Sequence, residues 1–517
     1  MTGKKINIFT TPEAVTVSLY VYAFVVSLFL SFSISTWIFG FVITNLGGTV
    51  EYFMAWLLFF GIFYVFCRFA SIGTRVKAVI GSEKPEETVE LKALSAWFLS
   101  FTAAAIVAAL ASGFFAENLV FKEIQKANDK GLNISIIQKA AEGRQGINAA
   151  EKLNSFLFSQ EGQPVRLAAS IAVSLETFAY FLERKWTTEE TGAAAALVLA
   201  NKEKMEPLKA IIRESGYLQA VKLPLPAQKD LNLLTPYGYS LLEEYARQLA
   251  IEVKLSAMEG REKQAAESMK ILVKMYELLK SGAGGLMSGS AAIKVQAVIS
   301  PAFGAMMSYD KAYRLLKPVM TGFINTAGNG LTRSGLREET ALLMEKYRLI
   351  KKNPALIKHL TGLSGPLVSL ASVTGALDIS FYRLIKDFSE AAEGTNIREH
   401  KNVKQLSYWP YMFTKKMEPD LKKFYRDEET GFAALKALNA ICLIKEHGLK
   451  TGKLPGSIYE TLTYLPEGAG LDPFGNKTLF LIIHKNESMI LYSLGEDRVD
   501  NSGSLADGKD IGHVLFY

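Results

Sequence analysis

Between Glu13 and Glu51 the chain carries no charged residue. A helix needs roughly 20 apolar residues to cross the hydrocarbon core of a bilayer, so this run holds one span and a polar exit through Thr44, Asn45 and Gly47. Two further apolar runs follow: Tyr52 to Cys67, dense in Phe, Leu and Ile, and Leu94 to Ala116, rich in Ala and Ser. Small side chains such as these let membrane helices approach closely. A cleaved signal peptide explains the first run poorly. It is too long for an h-region, no small-residue cleavage site follows, and two more apolar runs come after it. The predicted fold class is a mainly α membrane protein, with a transmembrane region over residues 1–120 and spans at about 15–38, 52–67 and 94–116.

Orientation follows from Lys and Arg near the spans. Lys4 and Lys5 precede the first, none lies between the first and second, and Arg68, Arg75, Lys77, Lys84 and Lys92 lie between the second and third. Keeping these positives cytoplasmic puts everything after about Glu117 on the far side of a bacterial inner membrane, in the periplasm or outside the cell.

The 517 residues exceed what one compact core holds, so several domains are predicted. Residues 121–426 read as an α-helical extracytoplasmic domain. Ala265, Met269, Leu272, Val273, Tyr276 and Leu279 recur at helical spacing, and Tyr245 to Met258 shows the same period. The two segments meet at Glu259-Gly260 as an antiparallel pair, loosely similar to a tetratricopeptide-like repeat, but no fixed period extends over three units. Two stretches rich in small residues, Ser281 to Met307 and Thr361 to Leu377, read as buried core helices, with a membrane contact or a partner groove as the alternative.

A formal charge of +7, with Lys and Arg interspersed among Glu and Asp, describes solvated helix faces and gives no basis for nucleic-acid binding. The two cysteines, Cys67 and Cys442, support neither a disulfide framework nor a zinc site. No phosphate-binding loop, His-Glu-x-x-His or Gly-x-Ser-x-Gly motif is present, and the five histidines are isolated in sequence.

From Thr430 the character changes. Gly431 to Glu446 is predicted as an amphipathic helix closed by His447-Gly448, followed by a turn around Gly452-Lys453-Leu454-Pro455. Leu479 to Ile483 and Met489 to Ser493 read as a hairpin, with a last strand from Gly512 to Phe516. Between and after these lie Asp472-Pro473-Phe474-Gly475-Asn476, Tyr492-Ser493-Leu494-Gly495-Glu496-Asp497-Arg498-Val499-Asp500, and Lys509-Asp510-Ile511. In this order the segments resemble the globular part of the type II secretion major pseudopilins. The resemblance covers residues 427–517 and implies a small α+β pilin-like domain there. The pilin leader and its continuous N-terminal hydrophobic helix have no counterpart before Thr430, so processing and polymerisation as a pilin are not expected. Asp472 and Asn476 are predicted to shape a turn.

In that family the loop after the hairpin binds calcium. The resemblance implies Leu494, through its carbonyl, and Asp497 as ligands, with Asp510 close by. The residues themselves agree: Asp497, Asp500, Asn501, Ser502, Asp507 and Asp510 crowd four carboxylates and neutral oxygen donors onto one Gly-containing loop, and calcium takes six to eight such oxygens. The alternative is a solvated acidic turn. The function predicted is a non-enzymatic binding or scaffold protein of the envelope with a structural calcium ion. Its partners would be the lipid bilayer and other envelope or secretion proteins. A hydrolase using helix carboxylates such as Glu243, Glu244 and Glu252 is the alternative. A transporter subunit fits less well, because the spans carry no internal charges.

Overall fold

The computed structural model describes residues 87–133, 147–157, 166–167, 174–218, 236–281, 285–328, 330–352, 373, 375–393, 421–475, 478–485, 487–506 and 509–516, with isolated helical positions between 21 and 65. In chain order the elements are α1 (Glu87–Asp129), β1 (Ile147–Asn148), α2 (Ala149–Leu157), α3 (Leu175–Glu183), α4 (Thr188–Glu214), β2 (Ser215–Tyr217), α5 (Pro236–Met258) and α6 (Glu262–Lys280). They continue with α7 (Gly285–Met306), α8 (Asp310–Thr326), α9 (Leu331–Lys352), α10 (Ala376–Glu393), α11 (Leu421–Thr451), α12 (Ile458–Thr461), β3 (Leu481–Lys485), β4 (Ser488–Ser493) and β5 (Ile511–Phe516). The chain is mainly helical with a small antiparallel sheet near its C-terminal end. It forms two compact units, one of residues 1–133 and 340–419, the other of residues 134–339 and 420–517. The predicted division at 120 and 426 differs because α11 and the sheet share a core with the helices of the second unit.

In the first unit α1 runs 43 residues, about 65 Å at 1.5 Å per residue. The run predicted to end at Ala116 continues as helix to Asp129, where Glu117, Glu123 and Lys126 give it a polar end. Among the described residues one stretch, Thr102–Asp129, is long and apolar enough to cross a membrane. The predicted spans at 15–38 and 52–67 fall outside the described residues apart from the isolated positions. The α10 helix packs against α1 where two glycines meet. A Cβ on Gly113 would lie 2.6 Å from the Val373 carbonyl oxygen, and one on Gly375 (φ +76°) would lie 2.7 Å from the Ala116 Cβ. Beyond this crossing Tyr347 donates to the buried Asp378 carboxylate at 2.7 Å, and Lys351 reaches Asp378 at 3.3 Å and Glu117 at 3.2 Å, tying α1, α9 and α10 together.

This crossing gives a direct test. Gly375→Ala is expected to cost about 1–3 kcal/mol from overpacking and a further 1–2 kcal/mol from the left-handed backbone. Gly322→Ala, mid-helix in α8 with open space around its Cβ, serves as the control in a melting experiment on the detergent-solubilised chain and is expected to hold or slightly raise the midpoint. Equal midpoints for the two variants would rule the crossing out.

In the second unit α5 and α6 are the predicted antiparallel pair. The turn is a Schellman motif: Gly260 (φ +72°) donates to the Ala257 carbonyl and Arg261 to the Ser256 carbonyl. The apolar residues read at helical spacing, from Ala265 to Leu279, are all buried. The α7 helix, from the small-residue stretch predicted as a core helix, packs against α3, α5, α6 and α11. Its lack of a polar face follows from burial nearly all round. Tyr276, Phe303 and Phe323 meet there with centroids 5.3 and 5.8 Å apart, each ring contributing about 1.5–3 kcal/mol by burial.

The sheet has order β3-β4-β5, all antiparallel, with Leu481 opposite Tyr492 and Ser488 opposite Phe516. Alternation sends Met489, Leu491 and Leu515 into the main core against α11, while Ile490, Tyr492 and Val514 form a separate cluster with Leu505. The α11 helix is longer than predicted. It passes through His447-Gly448 and ends before Gly452 (φ +72°), so Gly452 closes it. Gly448 is small for another reason: a Cβ there would lie 2.8 Å from Leu454 Cδ2.

Candidate functional site

The tail loop predicted to hold calcium is ordered by the main chain. Asp497 accepts from the Val499 N–H at 3.0 Å, and Asp500 from the Ser502 N–H at 2.7 Å and the Tyr492 hydroxyl at 3.1 Å. Asn501 donates to the Val499 carbonyl at 2.9 Å, and the Leu494 N–H to Asp472 at 3.3 Å. Asp510 is buried and accepts from the N–H groups of Asn501 and Ser504. Burial pushes its carboxyl up although those N–H groups pull the other way. Asp497 and Asp500 face solvent while Asp510 faces inward, and Asp507 lies outside the described residues. Among the described residues no three carboxylate, histidine or cysteine side chains gather to hold a metal ion. These loop carboxylates accept backbone N–H groups at separate positions along the loop. Asp472 shapes the predicted turn, its buried carboxylate accepting from the Phe474 N–H and the Ser493 hydroxyl. Asn476 lies outside the described residues.

A buried acid–histidine pair lies elsewhere in the second unit. Glu183 ends α3 and His513 sits on β5, both almost fully buried and 2.5 Å apart through Nδ1. His513 Nε2 faces the Ala434 carbonyl of α11 at 2.8 Å, and the second Glu183 oxygen accepts from the Val514 N–H at 2.8 Å. Both ring nitrogens therefore face acceptors, the setting of an imidazolium. Burial opposes that charge, but the Glu183 carboxylate and the Ala434 carbonyl outweigh it and hold His513 above its usual range. Gly304 leaves the space: a Cβ there would lie 2.8 Å from Glu183 Oε1 and 2.9 Å from His513 Nδ1.

Beside this pair opens a cleft of about 750 Å3. Arg184, Lys185, Lys254, Lys445 and Lys453 line it, against the carboxylates of Glu183 and Asp310. The turn carrying Arg184 and Lys185 is fixed from both sides. Trp186 donates to the Phe181 carbonyl at 2.7 Å and stacks on the Phe181 ring, and a Thr187–Glu190 capping box starts α4. Glu190 also pairs with Arg184, Glu487 with Lys185 at 2.7 Å, and Asp310 with Lys445 at 2.7 Å.

Lys254 differs from these. It lies on α5, is 2% exposed, and donates to the Arg184 carbonyl with its Nζ 4.2 Å over the Trp186 ring. Among the described residues it forms no ion pair. Burial, with the Arg184 guanidinium nearby, lowers its ammonium pKa to about 7. A second cleft, of about 590 Å3, is lined by both Glu183 and His513. There Lys294 and Arg426 are matched by Glu243 and Glu496, each at 2.8 Å.

The helix carboxylates considered for a hydrolase do not pair with one another. Glu243 bonds Arg247 and Lys294, and Glu252 bonds Lys209, Ser268 and Gln264. Of the other histidines, His447 stacks on Tyr464 and His484 bonds the Pro455 carbonyl, while His359 and His400 lie outside the described residues. Comparison with protein-family models, curated proteins and solved structures finds no match for this chain.

Proposed function

We propose that this chain is a membrane-anchored protein of the bacterial envelope that acts by binding or scaffolding. Three N-terminal helices hold it in the inner membrane, and the helical unit with its pilin-like end stands on the far side, where other envelope or secretion proteins would meet it. One observation carries the anchoring: at the described positions of the apolar runs, large side chains face outward and small ones inward. Val26, Ala105, Leu30 and Ile62, drawn from all three runs, share one small cluster, while Val21, Phe60, Val107 and Phe114 are 56–71% exposed. A soluble bundle buries its large side chains; a bundle facing lipid turns them outward. Only 28% of the apolar window in α1 is buried, unlike a core helix.

The pilin-like reading is supported by α11 packed against β4 and β5 of a three-stranded antiparallel sheet, in the order the motifs predicted. The test is fractionation with topology mapping. The chain is expected to resist carbonate extraction, and a reporter fused after Tyr517 is expected to be active only outside the cytoplasm. Release by carbonate would defeat the anchoring, and a cytoplasmically active C-terminal reporter would defeat the orientation.

A further inference from the structure

We propose that the cleft walled by Arg184, Lys254, Lys445 and Lys453 is a binding site for a small phosphomonoester. The inference is independent of the membrane reading. The volume of about 750 Å3 falls in the range of small-molecule sites and exceeds what a bare phosphate fills, leaving room for an organic body beside Tyr309 and Phe516. Charge sets the class. Of the five cationic side chains that line the cleft, Arg184, Lys185 and Lys445 are already paired with Glu190, Glu487 and Asp310, which leaves Lys254 and Lys453 without an ion pair among the described residues. A monocarboxylate would match one of these two cations, whereas a phosphomonoester near neutral pH brings close to two charges and three acceptor oxygens.

Lys254 is the second observation. A buried ammonium without a carboxylate costs free energy, and a protein normally pairs it. Here its donors meet one carbonyl and one aromatic face on the cleft wall, which leaves it to be completed by an anion. The charged groups facing Lys254 are Arg184, Glu183 with its partner His513, and Glu190. A dianion in the cleft adds to the negative side of that set and favours the ammonium. Since Lys254 ionises near pH 7 in the free protein, binding above pH 7 takes up a proton there, and affinity falls as pH rises by up to tenfold per unit.

The experiment is calorimetric titration of the full chain in detergent with phenyl phosphate at pH 8 in two buffers of different ionisation enthalpy. Binding is expected, with a heat that depends on the buffer. Lys254→Met is expected to weaken it at least tenfold and abolish the buffer dependence. It should fold, because methionine fills the same space without the buried charge. Lys453→Gln, at the exposed rim, is expected to weaken binding two- to fivefold without altering the buffer dependence. A parallel titration with dihexanoyl phosphatidate separates a lipid headgroup from a soluble ester; binding of either supports the phosphomonoester site. The proposal is overturned if neither probe gives heat or shifts the melting temperature at millimolar concentration. Affinity and buffer dependence unchanged by Lys254→Met would overturn it equally.

Discussion

Replacing His513 with leucine is expected to destabilise the second unit by about 3–5 kcal/mol, the usual cost of removing one member of a buried ion pair. The loss comes mainly from what is left behind. Without the imidazolium, the Glu183 carboxylate stays buried with the Val514 N–H as its remaining donor among the contacts described above. A double variant, His513→Leu with Glu183→Gln, is expected to recover most of the loss, since glutamine still accepts from Val514 and no charge remains to desolvate. Denaturant unfolding of the four members of this cycle reads the coupling directly. A cost below about 1 kcal/mol for His513→Leu would mean that the pair is not charged.

The same pair sets a pH dependence whose sign is fixed. His513 is held above its unfolded value of about 6.5, so the folded state binds the proton more tightly. The stability it contributes is fully present below pH 6.5 and is lost as pH rises through the folded value. Lys254 works the other way. Its folded value, about 7, lies below the unfolded 10.5, so it makes stability rise with pH between those limits. The two contributions oppose each other, and each is read from the difference between wild type and variant. The gap between wild type and His513→Leu should close as pH rises, whereas the advantage of Lys254→Met over wild type should close toward pH 10.5.

What could be read from the sequence depended on how local each signal was. The α5–α6 pair was legible because apolar spacing and Gly260 lie within one stretch of chain. The end of α11 was misplaced because Gly448 reads as a cap, while its smallness serves contact with Leu454, which no local rule reveals. The tail loop shows the same limit of local reading. Counting its carboxylates ignored the main-chain donors that its turns aim at them, and Arg498 (φ 58°) and Ser502 (φ 59°) bend the loop where those donors lie. The charged interior had no local signal. Glu183 and His513 stand 330 positions apart, and Lys254 reads like any other lysine at helical spacing. Only the packing of α5 against the turn at Trp186 makes it a buried amine.

The largest effect outside the His513 pair is expected at Glu428. This residue of α11 is 5% exposed, and its carboxylate takes the backbone N–H of Gly330, of Leu331 at 2.6 Å and of Thr332 at 3.1 Å. Those groups form the start of α9, where the first N–H donors have no partner within the helix and the helix dipole favours negative charge. A carboxylate from a distant helix thus does the work of a local cap, and no Ser, Thr, Asp or Asn just before Leu331 is needed for it. Hydrogen bonds to charged groups are worth about 1.5–3 kcal/mol each, so losing all three through Glu428→Ala implies about 4.5–9 kcal/mol before water reaches the freed N–H groups. Glu428→Gln keeps an acceptor oxygen but loses the charge, and it should cost about half as much. Hydrogen exchange locates the effect: in Glu428→Ala the amides of Leu331 and Thr332 should lose protection, while those of α6, whose start Glu428 does not touch, should fall only with global stability. If the Leu331 and Thr332 amides stay protected in that variant, the carboxylate is not their acceptor and the start of α9 is held by other contacts.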